Sequence, residues 1–253
     1  MAGTLIIVLS PLATLIAVIL CGGSLLTCYA CSALGYIKFE ENIEIVEPLK
    51  NSSMTNILTS HKMEHFNQVF TNDIYPVYKA HQDTFDPDGI HGVMHIARCI
   101  IAAFALAERC PDGKEVDLVA IFYAVAFHDS GRRGNQIDFW EMDSRQNCLD
   151  FCTKNGIPNA LYIASLIPKS LPKPNDFNYV CVHDADVLDI MRPCAGQGGL
   201  GGFKRQFMLL FKDQPGWCDE FILRWCKFVL ETEARKKELS GPDCFEKLVE
   251  MFN

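Results

Sequence analysis

Two patterns of apolar and polar positions divide the chain at its first charged residue. Met1 to Ile37 carries no charged side chain, with "TLIIVLSPLATLIAVIL" running into "CGGSLLTCYACSALGY" before Lys38. A helix needs about 20 apolar residues to cross a hydrocarbon core of roughly 30 Å, so residues 1–37 are read as a hydrophobic membrane anchor. Pro11 and Gly22-Gly23 leave both a tilted single span and a re-entrant hairpin open. No positively charged n-region precedes the run, which favours a retained anchor over a cleaved signal peptide. Lys38 and Lys50 place the following domain on the cytosolic side by the positive-inside rule. A buried core helix is the alternative.

Residues 38–60 read as a polar linker, and beyond it apolar residues recur mostly at three and four positions, the period of a helix with one buried face. The pattern predicts helices over His61–His81, His95–Glu108, Glu115–Phe127, Met142–Lys154, Ala160–Ile167, Tyr179–Met191, Gly202–Lys212, Trp217–Lys237 and Asp243–Met251. Strand-like alternation is nearly absent. The breakers "DPDG", "CPDG", "PKSLPKPND" and "GQGGLGG" fall between these runs. Gly196 to Gly202 lacks the Gly-Lys-Ser/Thr ending of a phosphate-cradling loop and reads as a flexible connection that could serve as a lid. The expected architecture is one all-α domain, residues 61–253, on a membrane stalk. Trp217, Phe221 and Trp225 share one helix face, which reads as core packing, with a partner groove as the alternative.

Charge and cysteine usage narrow the partners. A net charge of -8 over 253 residues argues against nucleic acid, which needs a basic face. The one basic run, "ARKKEL", reads as a solvated helix face. Of twelve cysteines, Cys21, Cys28 and Cys31 lie in or beside the anchor, where S-acylation is possible. The others form no C-x-x-C pair, and several fall on apolar helix faces as small hydrophobes, a pattern suited to a reducing compartment.

Four segments carry the candidate chemistry: "HGVMHIAR" (His91 to Arg98), "FHDSGRR" (Phe127 to Arg133), "DFWEMDS" (Asp138 to Ser144) and "HDADVLD" (His183 to Asp189). Singly each reads as a core histidine or a capping aspartate. Together they read differently. His91 and His95, four apart, share one helix face. If their helix packs beside the one ending at His128-Asp129, and Asp186 projects from a third, imidazoles and carboxylates converge. Such a mixed nitrogen and oxygen shell suits iron, manganese, zinc, nickel or cobalt rather than a thiolate site. The adjacent His-Asp pair can converge only where the backbone leaves the helix, and Ser130-Gly131 offers that exit. Asp138, Trp140, Glu141 and Ser144 read equally as a pocket rim and as the cap and first turn of the next helix.

These residues resemble the HD-domain phosphohydrolases, whose pattern is His, then His-Asp, then Asp on a helical scaffold. The resemblance implies an HD-like bundle and places metal ligands at His95, His128, Asp129 and Asp186. By similarity to the related cyclic-nucleotide phosphodiesterases, His91 takes the role of general acid. Arg132 and Arg133 would then clamp phosphate oxygens. From Asp86 to Arg192 the motifs look most like the phosphodiesterase domain of SidE-type bacterial effectors and their deubiquitinase relatives, and that likeness implies processing of phosphoribosylated or ADP-ribosylated ubiquitin without a metal. That likeness implies His91, His128 and His183 as the working histidines, with His91 the candidate for a transient phosphoramidate. Asp129 and Asp186 would then orient the imidazoles. The chain lacks the ADP-ribosyltransferase region of the large effectors, so complete ligase activity is not expected.

Three functional expectations follow. The first is a membrane-anchored phosphodiesterase with a cytosolic catalytic domain, at a host membrane if the protein is an effector. It would cleave a phosphoribosyl or ADP-ribosyl ester on a protein such as ubiquitin by histidine chemistry, without a cofactor. The second is a phosphohydrolase that uses a divalent transition metal and takes a small nucleotide. The third is a non-catalytic HD module that binds a nucleotide or a ubiquitin-like protein.

Overall fold

The computed structural model describes residues 61–87, 89–110, 113–134, 140–173, 175–189 and 217–253. The expected anchor and linker, Asp138, the glycine-rich loop and the helix expected over Gly202–Lys212 lie outside these residues. The described elements are α1 (His61–Val69), a π-helical turn (Phe70–Ile74), α2 (Tyr75–Phe85), α3 (Val93–Ala107), α4 (Leu118–Phe127) and α5 (Glu141–Lys154). They continue with α6 (Ala160–Ser165), α7 (Phe177–Asp189), α8 (Trp217–Ala234), α9 (Lys236–Leu239) and α10 (Cys244–Phe252). No strand occurs among the described residues, so the described fold is all-α. No helix among them is long and apolar enough to cross a membrane.

The core is built around α3, whose sequence VMHIARCIIAAFALA buries every one of its side chains. A helix apolar on all sides needs neighbours on all sides, and α2, α4, α7 and α10 supply them. The polar exceptions in α3, His95 and Arg98, are buried as well and therefore need partners. Helix α4 begins where Asp117 accepts hydrogen bonds from the backbone N–H groups of Val119 and Ala120, at 3.0 and 2.9 Å, a side-chain cap. That cap starts the helix at Leu118 rather than at Glu115. Similarly α3 starts at Val93, since Gly92 is extended, and the first expected helix continues past His81 to Phe85 through the π-helical turn.

An aromatic cluster closes one side of the core. Phe66 stacks on Phe122 with centroids 4.5 Å apart, and Phe70 on Phe245 at 5.1 Å. Phe221 and Trp225 are buried, as core packing of that helix face requires; the side chain of Trp217 is outside the described set. The Trp225 indole N–H donates to the Leu188 carbonyl at 3.1 Å, which ties α8 to α7. Described cysteines Cys99, Cys148, Cys152, Cys181 and Cys244 are buried and form no disulfide.

Candidate active site

Helix α4 ends at Phe127, and His128 follows as its C-cap. The next residues turn sharply, with Ser130 N–H donating to Phe127 O and Arg132 N–H to Asp129 O, both at 3.0 Å. Gly131 makes this turn possible. A Cβ there would lie 2.6 Å from the Ser144 backbone nitrogen and 2.9 Å from the Trp140 carbonyl oxygen. Its own N–H donates to Ser144 Oγ at 2.9 Å, so the turn is seated on the start of α5.

From this turn His128 and Asp129 meet His95 of α3 and Asp186 of α7. His95 Nε2 lies 3.4 Å from His128 Nε2, 3.4 Å from Asp129 Oδ2 and 3.6 Å from Asp186 Oδ1. His128 Nε2 lies 3.6 Å from each of the same two carboxylate oxygens. The tautomers follow from the other ring nitrogens. His95 Nδ1 is 2.7 Å from Asp189 Oδ2, and His128 Nδ1 is 2.7 Å from the Val125 carbonyl oxygen. A carboxylate or carbonyl oxygen can only accept, so both Nδ1 atoms carry hydrogen and both neutral Nε2 atoms turn a lone pair inward.

Four acceptors therefore face one another, an arrangement that needs a positive charge among them. A proton supplies one. Burial disfavours the charged form of His128, but the Asp129 charge and the bond to Asp186 prevail and push its pKa up to about 8. Burial likewise opposes ionisation of the two carboxylates. The charge of His128 and the bond from His91 nevertheless hold Asp129 well below the usual range. Lys169 and His128 do the same for Asp186. A metal ion is the other solution. Donor atoms around one ion with bonds of about 2.1 Å lie roughly 3.0–3.5 Å apart, close to the nitrogen–nitrogen and nitrogen–oxygen separations here, and two imidazoles with two carboxylates suit a divalent transition metal. Cys99 Sγ stands beside the His95 ring, 3.5 Å from Nδ1 and 3.8 Å from Nε2, and with His95, His128 and Asp186 it forms a set of donors within 4.8 Å of one another. The nitrogen and oxygen donors suit such an ion, with the thiol within reach of the same centre.

The surrounding polar residues fix the quartet. Asp189 is fully buried and shares its oxygens between His95 and Arg98, whose Nε donates to Asp189 Oδ1 at 2.7 Å. Arg98, itself fully buried, also pairs with Glu233 Oε1 at 2.8 Å and donates to Thr232 Oγ1 at 3.3 Å, reaching from α3 to α8. His91 is held from two sides. Its backbone N–H donates to Asp86 Oδ2 at 2.6 Å, and its Nδ1 lies 2.8 Å from Asp129 Oδ2. Burial lowers its pKa from the ordinary value despite the Asp129 carboxylate.

A cleft opens beside the quartet, lined by His128, Asp129, Arg132, Trp140, Glu141, Ser144, Lys169, Tyr179, His183 and Asp186, with Leu166, Ile167 and Val182 as its apolar part. His183 belongs to this wall, its ring parallel to Tyr179 with centroids 6.1 Å apart, rather than to the quartet. Arg132 is buried with Nη1 3.7 Å from Asp129 Oδ1. Arg133 is exposed and not part of the cleft wall. Trp140 and Glu141 form cleft wall and helix start at once, while the Ser144 hydroxyl is engaged by Gly131.

Sequence reading passed over Arg98, Asp189 and Lys169. For the first two a signal exists: Arg98 follows His95 by three, and Asp189 follows Asp186 by three, which puts each pair on one helix face. Lys169 lies in a proline-rich connection and has no local signature. No protein-family model, curated protein or solved structure matches this chain. The family likeness therefore rests on its motifs, and the site geometry carries the functional reading.

Proposed function

We propose that this chain is a phosphoesterase of the HD type, an all-helical hydrolase that cleaves a phosphoester at His95, His128, Asp129 and Asp186. The supporting observation is that the His95 and His128 Nε2 atoms lie 3.4 Å from each other and 3.4–3.6 Å from one oxygen of Asp129 and one of Asp186, beside a cleft that presents Arg132 and Lys169. A divalent transition metal held by these four side chains would lower the pKa of a water and polarise a phosphoryl oxygen. Asp189 holds His95 in the tautomer that turns Nε2 inward, and Val125 O does the same for His128. Arg132 binds a phosphoryl oxygen. His91, with its Nδ1–H held by Asp129, takes up at Nε2 the proton that the attacking water loses and passes it to the leaving oxygen. Substrates compatible with this chemistry are a phosphoribosyl or ADP-ribosyl ester on a protein such as ubiquitin, and a small nucleotide. The uncharged segment Met1 to Ile37 supports attachment to a membrane.

The test is incubation of the detergent-solubilised full chain with phosphoribosylated ubiquitin, ADP-ribosylated ubiquitin and a nucleotide panel, with metal content measured alongside. Hydrolysis that stops in strong chelator, and a stoichiometric metal lost in Asp186→Ala, are the expected results. Full activity of Asp186→Ala refutes the quartet's role.

A metal-free reaction by His91, His128 and His183 is the second reading, closer to the effector enzymes. The His91–Asp129 hydrogen bond and the raised pKa of His128 favour it, because a protonated His128 occupies the place of the ion. Undiminished turnover in chelator, abolished by His91→Ala, selects this reading.

A further inference from the structure

We infer that Lys169 binds a phosphoryl oxygen of the substrate, forming with Arg132 a two-cation clamp. This extends the phosphoesterase reading above and rests on it.

Both carboxylates of the quartet are divided in the same way. Asp186 turns Oδ1 to the imidazoles and Oδ2 to Lys169 Nζ at 2.8 Å. Asp129 turns Oδ2 to the imidazoles and Oδ1 to Arg132 Nη1 at 3.7 Å. Each therefore links the centre to a cation on the cleft wall, and the two cations come from distant turns of the chain. The turn that carries Lys169, between α6 and α7, is anchored. Leu171 N–H donates to Pro168 O at 3.3 Å, and Ser170 N–H donates to Glu141 Oε2 at 3.1 Å.

Lys169 lines the cleft and keeps 35% of its side-chain surface exposed, against 10% for Asp186. An ammonium has three donors, so Lys169 can take a phosphoryl oxygen while keeping Asp186.

The experiment titrates the manganese-supplied, detergent-solubilised full chain with inorganic orthophosphate by calorimetry, comparing wild type, Lys169→Met and Lys169→Arg. Manganese content and phosphoester turnover are measured on the same samples. Loss of one charge-assisted hydrogen bond predicts that Lys169→Met weakens orthophosphate binding about ten- to a hundredfold, with manganese content unchanged. Lys169→Arg should recover most of the loss, and KM should move more than kcat. Wild-type orthophosphate affinity in Lys169→Met overturns the inference, as does loss of manganese from that variant, which would make Lys169 a support for Asp186. Orthophosphate binding that depends on Lys169 without turnover of any ester supports the clamp and refutes only the hydrolase reading. A wild-type chain that binds no orthophosphate overturns both.

Discussion

Replacing Arg98 by methionine removes a guanidinium from the fully buried network that orients His95 and leaves Asp189, also fully buried, without its principal countercharge. The native guanidinium pairs with Asp189 through Nε and Nη2, at 2.7 and 3.5 Å, and with Glu233 at 2.8 Å. Burial disfavours its charge, and the Asp189 carboxylate more than compensates and raises its pKa. Removing one partner of a buried pair costs about 3–5 kcal/mol, a large part of the roughly 5–15 kcal/mol by which a domain is stable. Urea denaturation should therefore show a midpoint lowered by roughly 1 M or more with an unchanged slope. The double variant Arg98→Met/Asp189→Asn should recover much of the loss, because no fully buried carboxylate is left unpaired, Glu233 keeping solvent and Lys236, and the introduced amide oxygen can still accept from His95 Nδ1. A loss below about 1 kcal/mol in the single variant, or no recovery in the double, would refute the view that Asp189 is held ionised by Arg98. Because this network sets the His95 tautomer, manganese affinity should fall about 10- to 100-fold in the single variant.

Metal-free protein should lose stability with rising pH. His128 has a pKa raised from 6.5 to about 8, so its contribution is complete below pH 6.5 and is lost as pH passes 8, on the order of 2 kcal/mol in all. Urea midpoints between pH 6 and 9 in chelator check this, with His128→Asn expected to be flat; a midpoint that rises across the window contradicts it. Gly131→Ala should destabilise by about 1–3 kcal/mol, since a Cβ 2.6 Å from the Ser144 nitrogen meets backbone that cannot swing aside. An unchanged melting temperature by calorimetry would show that the turn is not closely seated on α5.

Several helices were legible because a 3.6-residue apolar period acts over a single turn, as in α10, where Cys244, Phe245, Leu248, Val249 and Phe252 form the buried face. Their ends were less so. The start of α4 depends on Asp117 bonding two particular N–H groups, and the continuation of α2 to Phe85 follows a π-helical turn that no periodicity announces. Within the site, the order of "HIAR", "FHDSGRR" and "HDADVLD" pointed to His95, His128, Asp129 and Asp186, which the fold brings within contact distance. Arg132 and Arg133 look equivalent as neighbours in sequence. They differ in space because the turn after Asp129 directs one into the cleft and the other to solvent.

By itself the sequence determined the all-helical character of the described domain and which residue types were available for chemistry, since both are set by local spacing and side-chain identity. Tertiary structure decided which of them meet. His95 and Asp189 are separated by 94 positions and bonded at 2.7 Å, and Lys169 reaches Asp186 only because the turn between α6 and α7 is held against α5. Convergence of this kind depends on how buried helix faces pack, and that is a property of the whole core rather than of any one segment.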